Sequence, residues 1–462
     1  MSSSIDSILS EAFSAADAAQ WKQQIIADLK DREWDTLRWQ TLEGFSLEPF
    51  YTATDVDATP PEHQRGLLTK QSPGWLTLPE ISFDEAKATN RRLHEWFTKG
   101  ADGALIDIRS NPDLSLTDLS HLLNGLKMSE TPLWFRGNAQ AGELAQALGL
   151  LLPYQLKGGI IDDAFAHWLQ TGIKPDTALE AIAAATHQTL DSGQFRTATV
   201  SSHAFHNAGA TATQELAFTL SALTDLYDYL TETGLTLKQL VPKTLVSLSV
   251  GTSYFMEIAK LRALRILLSR FIQAFNSPLD PTSFFMIHSQ TSPFYEAAAI
   301  PYTNLLRATT ETMSAVIGGC DAITVRPYDA VLGATSSFSD RIALNISTLL
   351  KEESYLNKVS DPAAGSYYLE HLTTQLVDKA WQLFRQVEQL GGLQQAVETG
   401  FVQEEINKAY EAKKEAIHQG KILVGVTKFR VDETPTIPSV KVPDPNESAA
   451  ILPDRRLAEG FE

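Results

Sequence analysis

The stretch TATVSSHAFHNAGATATQELAFTL, residues 197–220, decides how the chain is read. It opens with alternation: Thr197, Thr199, Ser201 and His203 fall on one face of an extended segment, Ala198 and Val200 on the other. It closes with a small-residue turn and helical spacing from Thr211 to Thr231. A strand running through a polar turn into a helix is the unit of a parallel sheet with helical crossovers.

The unit recurs. Further β-rich runs are GALIDI from Gly103, PLWFRG from Pro132, KGGII from Lys157, TLVSLSV from Thr244, FFMIHSQ from Phe284, DAITVR from Asp321 and a weak one near Tyr355. Helical patterns such as Tyr254 to Phe275 and Tyr368 to Gln389 lie between them. Eight runs of this kind predict an α/β fold, a (β/α)8 TIM barrel, over an open sheet. The run from Thr244 repeats the alternation, with Ser247, Ser249 and Gly251 opposed to Val246, Leu248 and Val250. Ordinary barrels fill the bore with bulky branched side chains. Here small hydroxyls face inward, either leaving room for a threaded ligand or packing on one another.

Three parts are expected: an N-terminal helical arm and dimerisation segment over 1–60, a barrel over 61–430, and a Pro-rich strap over 431–462. The arm holds a helical pattern from Ser14 to Lys30 and a cluster of Trp34, Trp39, Phe45, Phe50 and Tyr51, residue types enriched at interface centres.

Composition narrows the function. A formal charge of −18 spread along 462 residues argues against a nucleic-acid surface. The single Cys320 excludes an internal disulfide, and no Cys/His cluster has metal-ligand spacing. Neither a signal peptide nor a membrane span is legible, so a cytoplasmic location is expected.

P-loop, dinucleotide, nucleophile-elbow and HExxH signatures are missing. The polar constellations are His203, His206 and Asn207 after one strand, His288, Gln290 and Ser292 at the end of another, and Arg262 and Arg265 on a helix. Strand ends in a barrel form the ligand-facing rim. The same residues could equally be hydrogen-bonded parts of the structure.

The segments TLEGFSLEPFYTATD (41–55), NAGATATQELAFTL (207–220), YFMEIAKLRALR (254–265), HSQTS (288–292), VSDPAAGSYYLEHLT (359–373) and VEQLGGLQQAVETG (387–400) together resemble the methylmalonyl-CoA mutase family. The resemblance implies an adenosylcobalamin-dependent radical isomerase that interconverts methylmalonyl-CoA and succinyl-CoA, with the CoA chain running through the bore. It also implies three departures. Catalytic members carry Tyr-His before the AGAT turn, where the histidine donates to the substrate carbonyl; this chain has His203 and Ala204 there. The Arg- and Tyr-bearing stretch that starts their barrel is matched by GLLTKQSPGWLTLPEIS (66–82), without those residues. The cobalt-ligating Asp-x-His-x-x-Gly and its C-terminal cobalamin-binding domain are not found.

The expectation is therefore the small, non-catalytic subunit of a heterodimer whose larger catalytic subunit carries adenosylcobalamin, with no cofactor bound by this chain alone. No catalytic residue is expected; His203 or His206 could substitute for the missing donor. A vestigial pocket, open to an acyl-CoA, would comprise Thr199, Ser201, His203, Asn207, Ser249, Arg265, His288, Gln290 and Ser292. Two alternatives stay open: an active large chain using a separate cobalamin subunit, and a mutase-associated binding or chaperone protein.

Overall fold

The computed structural model describes residues 17–30, 32–55, 70, 72–111, 114–275, 285–333, 335–430 and 449–462. Its centre is built of parallel strands in two five-stranded sheets, ordered β3-β12-β11-β10-β9 and β4-β5-β6-β7-β8. A hairpin in the arm, β1 (Trp39–Gln40) with β2 (Ser46–Leu47), precedes them. The central strands are β3 (Leu76–Thr77), β4 (Glu80–Ser82), β5 (Ala104–Asp107), β6 (Leu133–Arg136), β7 (Lys157–Ile161), β8 (Gln194–Arg196), β9 (Ala198–Ser201), β10 (Thr244–Val250), β11 (Met286–Thr291) and β12 (Ala322–Thr324).

The sheets meet where strands change partners. β3 and β4 are one extended segment interrupted at Leu78-Pro79; Leu78 N–H donates to Ile323 (2.9 Å) in one sheet, and the Pro79 carbonyl accepts from Leu105 (2.9 Å) in the other. Proline has no N–H for a ladder, so it sits where the pairing switches. β8 and β9 are divided in the same way at Thr197, whose N–H donates to Lys243 (3.0 Å).

Two strand expectations need correction. The weak run near Tyr355 is a short 3-10 turn, Leu356–Lys358, and the strand missed is Leu76–Ser82, where Pro79 breaks the alternation. The run from Thr197 also ends early: β9 stops at Ser201, and His203–Ala208 forms a one-turn helix. Gly209 ends that helix with φ +109°, and a Cβ there would press on the Tyr410 ring, which only glycine avoids. Thr211 then opens the helix Ala212–Glu232 with a capping box to Gln214, so the AGAT turn is a helix start.

Thr199 and Ser201 oppose Ala198 and Val200 as expected, but Thr197 bonds Thr186 of the helix Asp176–Gln188 at 2.7 Å, and the space between the two sheets is packed. Ala198, Val200, Val246, Leu248 and Val250 join the main core under the helices. On the inner faces, Leu78, Leu105, Trp134, Ile161, Leu245, Met286 and Ala322 form a separate apolar cluster. Trp134 is its largest member, and a Cβ on Gly159 would collide with its ring. The hydroxyls therefore occupy only the layer above this plug, and the threaded-ligand expectation gives way to the packed one.

The arm is partly folded onto the body. Glu43 accepts from Ala212 N–H (3.1 Å) and Thr213 N–H (2.8 Å), capping the helix Ala212–Glu232, and Tyr51 packs on Tyr368 and His371. Trp39 and Phe50 are half-exposed, and the helix Ala18–Leu29 buries no residue. Of the strap, residues 431–448 lie outside the described residues, as does most of the link over 59–75. No helix among the described residues is long and apolar enough to cross a membrane.

Candidate functional site

A cavity of about 280 Å³ opens above the plug at the C-terminal ends of the strands. It brings together Ser201, His203, Asn207, Ser249 and Gln290. Its charged walls, Arg109, Arg136, Asp163, Arg326 and Asp454, were not singled out by the sequence; each follows a strand or lies in the far C-terminal segment, where only the fold assembles them.

His203 lies at the floor and has no free nitrogen. Nδ1 is 2.7 Å from Ser249 Oγ and Nε2 is 2.7 Å from Ser247 Oγ. Ser247 Oγ is also 2.7 Å from His288 Nδ1, and His288 Nε2 is 2.9 Å from Thr324 Oγ1. Thr324 donates to the Leu78 carbonyl at 2.7 Å.

A carbonyl can only accept, so the direction of every proton follows. Thr324 gives its proton to Leu78 and must accept from His288 Nε2–H. Burial, with Arg136 nearby, pushes the His288 pKa down to about 3, so its ring is neutral and Nδ1 accepts from Ser247. Ser247 then accepts from His203 Nε2–H. Burial and Arg136 hold His203 well below its usual range as well, so its Nδ1 accepts from Ser249. The cavity meets this chain at the lone pairs of Ser249. Neither histidine of this series offers a proton to a substrate oxygen.

His206 is committed elsewhere. Its Nδ1 is 2.7 Å from Glu215 and its Nε2 2.7 Å from Ser292 Oγ. Glu215 also accepts from Ser202 (2.8 Å) and Lys260 (3.0 Å). Burial would raise this carboxyl, but His206 and Lys260 bring it below the usual range. Ala204 is fully buried in the main core and cannot present a group to the cavity.

Other expected pocket residues lie outside the cavity walls. Arg265 sits at the opposite end of the strands, paired with Asp321 (3.1 Å), because the first turns of its helix run past the rim and carry it back down. Arg262 pairs with Asp361 (3.2 Å) and Glu370 (2.8 Å). Thr199 reaches the Ile160 carbonyl at 3.4 Å, and His288 and Ser292 are held in the bonds above.

The charged walls are largely self-satisfied. Asp107 holds Arg109 through two bonds of 2.9 and 2.6 Å. Glu80 holds Arg136, and Gln290 bridges both, at 3.1 Å to each. Asp163 accepts from Ser201 at 2.6 Å, and burial pushes its pKa up to about 6.

A model of the methylmalonyl-CoA mutase family matches residues 114–452. The chain belongs to the methylmalonyl-CoA mutase family. Among similar members, the methylmalonyl-CoA mutase small subunit of Porphyromonas gingivalis is 31% identical over 426 residues, covering 88% of this chain and 69% of that protein. A probable methylmalonyl-CoA mutase small subunit of Mycobacterium tuberculosis is 30% identical, covering 94% and 72%. The methylmalonyl-CoA mutase of Cereibacter sphaeroides is 28% identical, covering 90% and 64%. This family member thus spans about two thirds of the length of its relatives.

The family's cofactor does not fit the described rim. The cavity lies at the small end of ligand sites even for drug-sized molecules, well short of a corrin. Both rim histidines, His203 and His206, have their two ring nitrogens engaged. The residues 449–462 lie across the rim: Arg455 N–H donates to Asn207 (2.8 Å) and Leu457 N–H to Phe294 (2.8 Å).

Proposed function

We propose that this chain is the small, non-catalytic subunit of a two-chain methylmalonyl-CoA mutase, in which a larger partner carries adenosylcobalamin and isomerises methylmalonyl-CoA and succinyl-CoA. One observation carries this reading: in the bonded series Ser249, His203, Ser247, His288, Thr324, Leu78 both ring nitrogens of His203 and of His288 are engaged, so neither histidine offers a proton to a thioester oxyanion. Acyl rearrangement needs a donor aimed at the developing charge. His203 and His206 therefore do not substitute for the donor that Ala204 lacks. Relatives named as small subunits support the same reading.

Two further parts belong to the proposal. The two sheets, sharing the segments Leu76–Ser82 and Gln194–Ser201, are taken to close into one (β/α)8 barrel, flanked by an arm over 1–60 and a strap over 431–462. The half-exposed Trp39 and Phe50 of the arm are taken to meet the larger subunit. A cytoplasmic location suits the free, buried Cys320.

The test is reconstitution. This chain alone, with adenosylcobalamin added, should show no isomerisation, and the complex with a larger family member should turn over. Measurable turnover by the chain alone would reject the reading.

A further inference from the structure

The described C-terminal segment is fastened to the rim at several points. Ile451 and Leu452 N–H groups both donate to Leu169 (2.9 Å), and Leu457 and Ala458 are buried. The Arg455 guanidinium bonds Asn407 (2.7 Å) and stacks on Tyr410 at 4.5 Å. Between these fasteners, Asp454 is delivered to the cavity wall.

Charge in the cavity is unevenly settled. Arg109 and Arg136 each have a carboxylate of their own, Asp107 and Glu80. Arg326 does not: its Nε is buried without a hydrogen-bond partner, and its guanidinium makes no ion pair among the described residues. Two carboxyls act on it from a distance, the buried Glu296 and, in the cavity wall, Asp454. Burial raises the Asp454 carboxyl, while Asn207 and Gln170 beside it, then Arg326 and Arg109, favour its charged form. A planar guanidinium with an open fork matches one carboxylate. A second negative charge would meet Asp163, also in the wall. Ile161, Ala166 and Pro293 supply an apolar side for a short carbon chain.

We propose that this cavity is a binding site for a short-chain monocarboxylate, held on Arg326, with Asp454 of the C-terminal segment as the built-in competing anion. The site is independent of the subunit role, since it needs neither catalysis nor the partner.

Calorimetric titration of the full chain with butyrate tests it, with sulfate as a second probe. Asp454→Asn keeps the shape and removes the charge, so it should bind butyrate about tenfold more tightly than the natural sequence. Adding Arg326→Gln should abolish that gain. Equal butyrate affinity with and without Asp454→Asn overturns the proposal, as does sulfate binding as tightly as butyrate. Should Asp454→Asn fail to fold by circular dichroism, Arg455→Ala loosens the segment without altering the cavity's cations. It should tighten butyrate binding too, and unchanged affinity there counts equally against the site.

Discussion

His203 Nε2 and Ser247 Oγ lie 2.7 Å apart, and this contact ties the protonation of His203 to that of His288. Ser247 is shared, accepting from one ring and donating to the next, so neither histidine can be recruited without orphaning the other. The residue that the resemblance places at the tyrosine before the family's donor histidine is here part of a hydrogen-bond series.

Replacing His203 should therefore matter for folding and little for turnover. In a complex reconstituted with His203→Ala, turnover should stay within about twofold, against the roughly 10²- to 10³-fold loss that follows removal of an oxyanion donor. Stability should fall by about 1–3 kcal/mol, because Ser247 and Ser249 lose their partners in a buried setting. Steady-state rates and urea unfolding on the same preparation check both. A hundredfold rate loss in an intact complex would make this chain catalytic.

The neutral state of His288 gives a pH signature. Its folded pKa, about 3, lies below the unfolded value of about 6.5, so below pH 6.5 the unfolded chain binds the extra proton. The stability contribution is whole above that pH and falls by about 1.4 kcal/mol per unit beneath it. Relative to His288→Gln, the natural sequence should lose about 2 kcal/mol between pH 6.5 and pH 4.5. Urea midpoints of both proteins at the two pH values would expose a flat difference, which is the contrary outcome.

Trp134 carries the plug in the bore. Trp134→Ala should cost about 3–5 kcal/mol and leave a cavity, whereas an open, ligand-ready bore would tolerate the change at little cost. Gly159→Ala should destabilise through the same ring, since its Cβ has nowhere to go. Guanidinium unfolding of the two variants measures this directly.

In the arm, two classes of aromatic should separate. Tyr51→Ala removes packing against Tyr368 and His371 and should lower the chain's own stability. Trp39→Ala with Phe50→Ala should leave the fold intact and weaken binding to the larger subunit by about tenfold or more. Surface plasmon resonance showing unchanged affinity for the double variant would move the interface elsewhere.

Sequence alone determined the alternation of β9 and β10, the helices that cover them, the capping turn after Gly209 and the family, because these depend on neighbours within a few residues or on the order of segments. Through the resemblance it also set the expectation that the donor position holds Ala204. Only tertiary structure decided that the space between the sheets is filled around Trp134, that His203 and His288 share Ser247, and that Asp454 lines the same cavity as Arg326 from the far end of the chain. Those residues are separated by 41 to more than a hundred positions, and periodicity has no term for such pairs. Whether a hydroxyl lines a ligand channel or satisfies a histidine is set by what the opposite strands place across from it, which is a property of the folded chain.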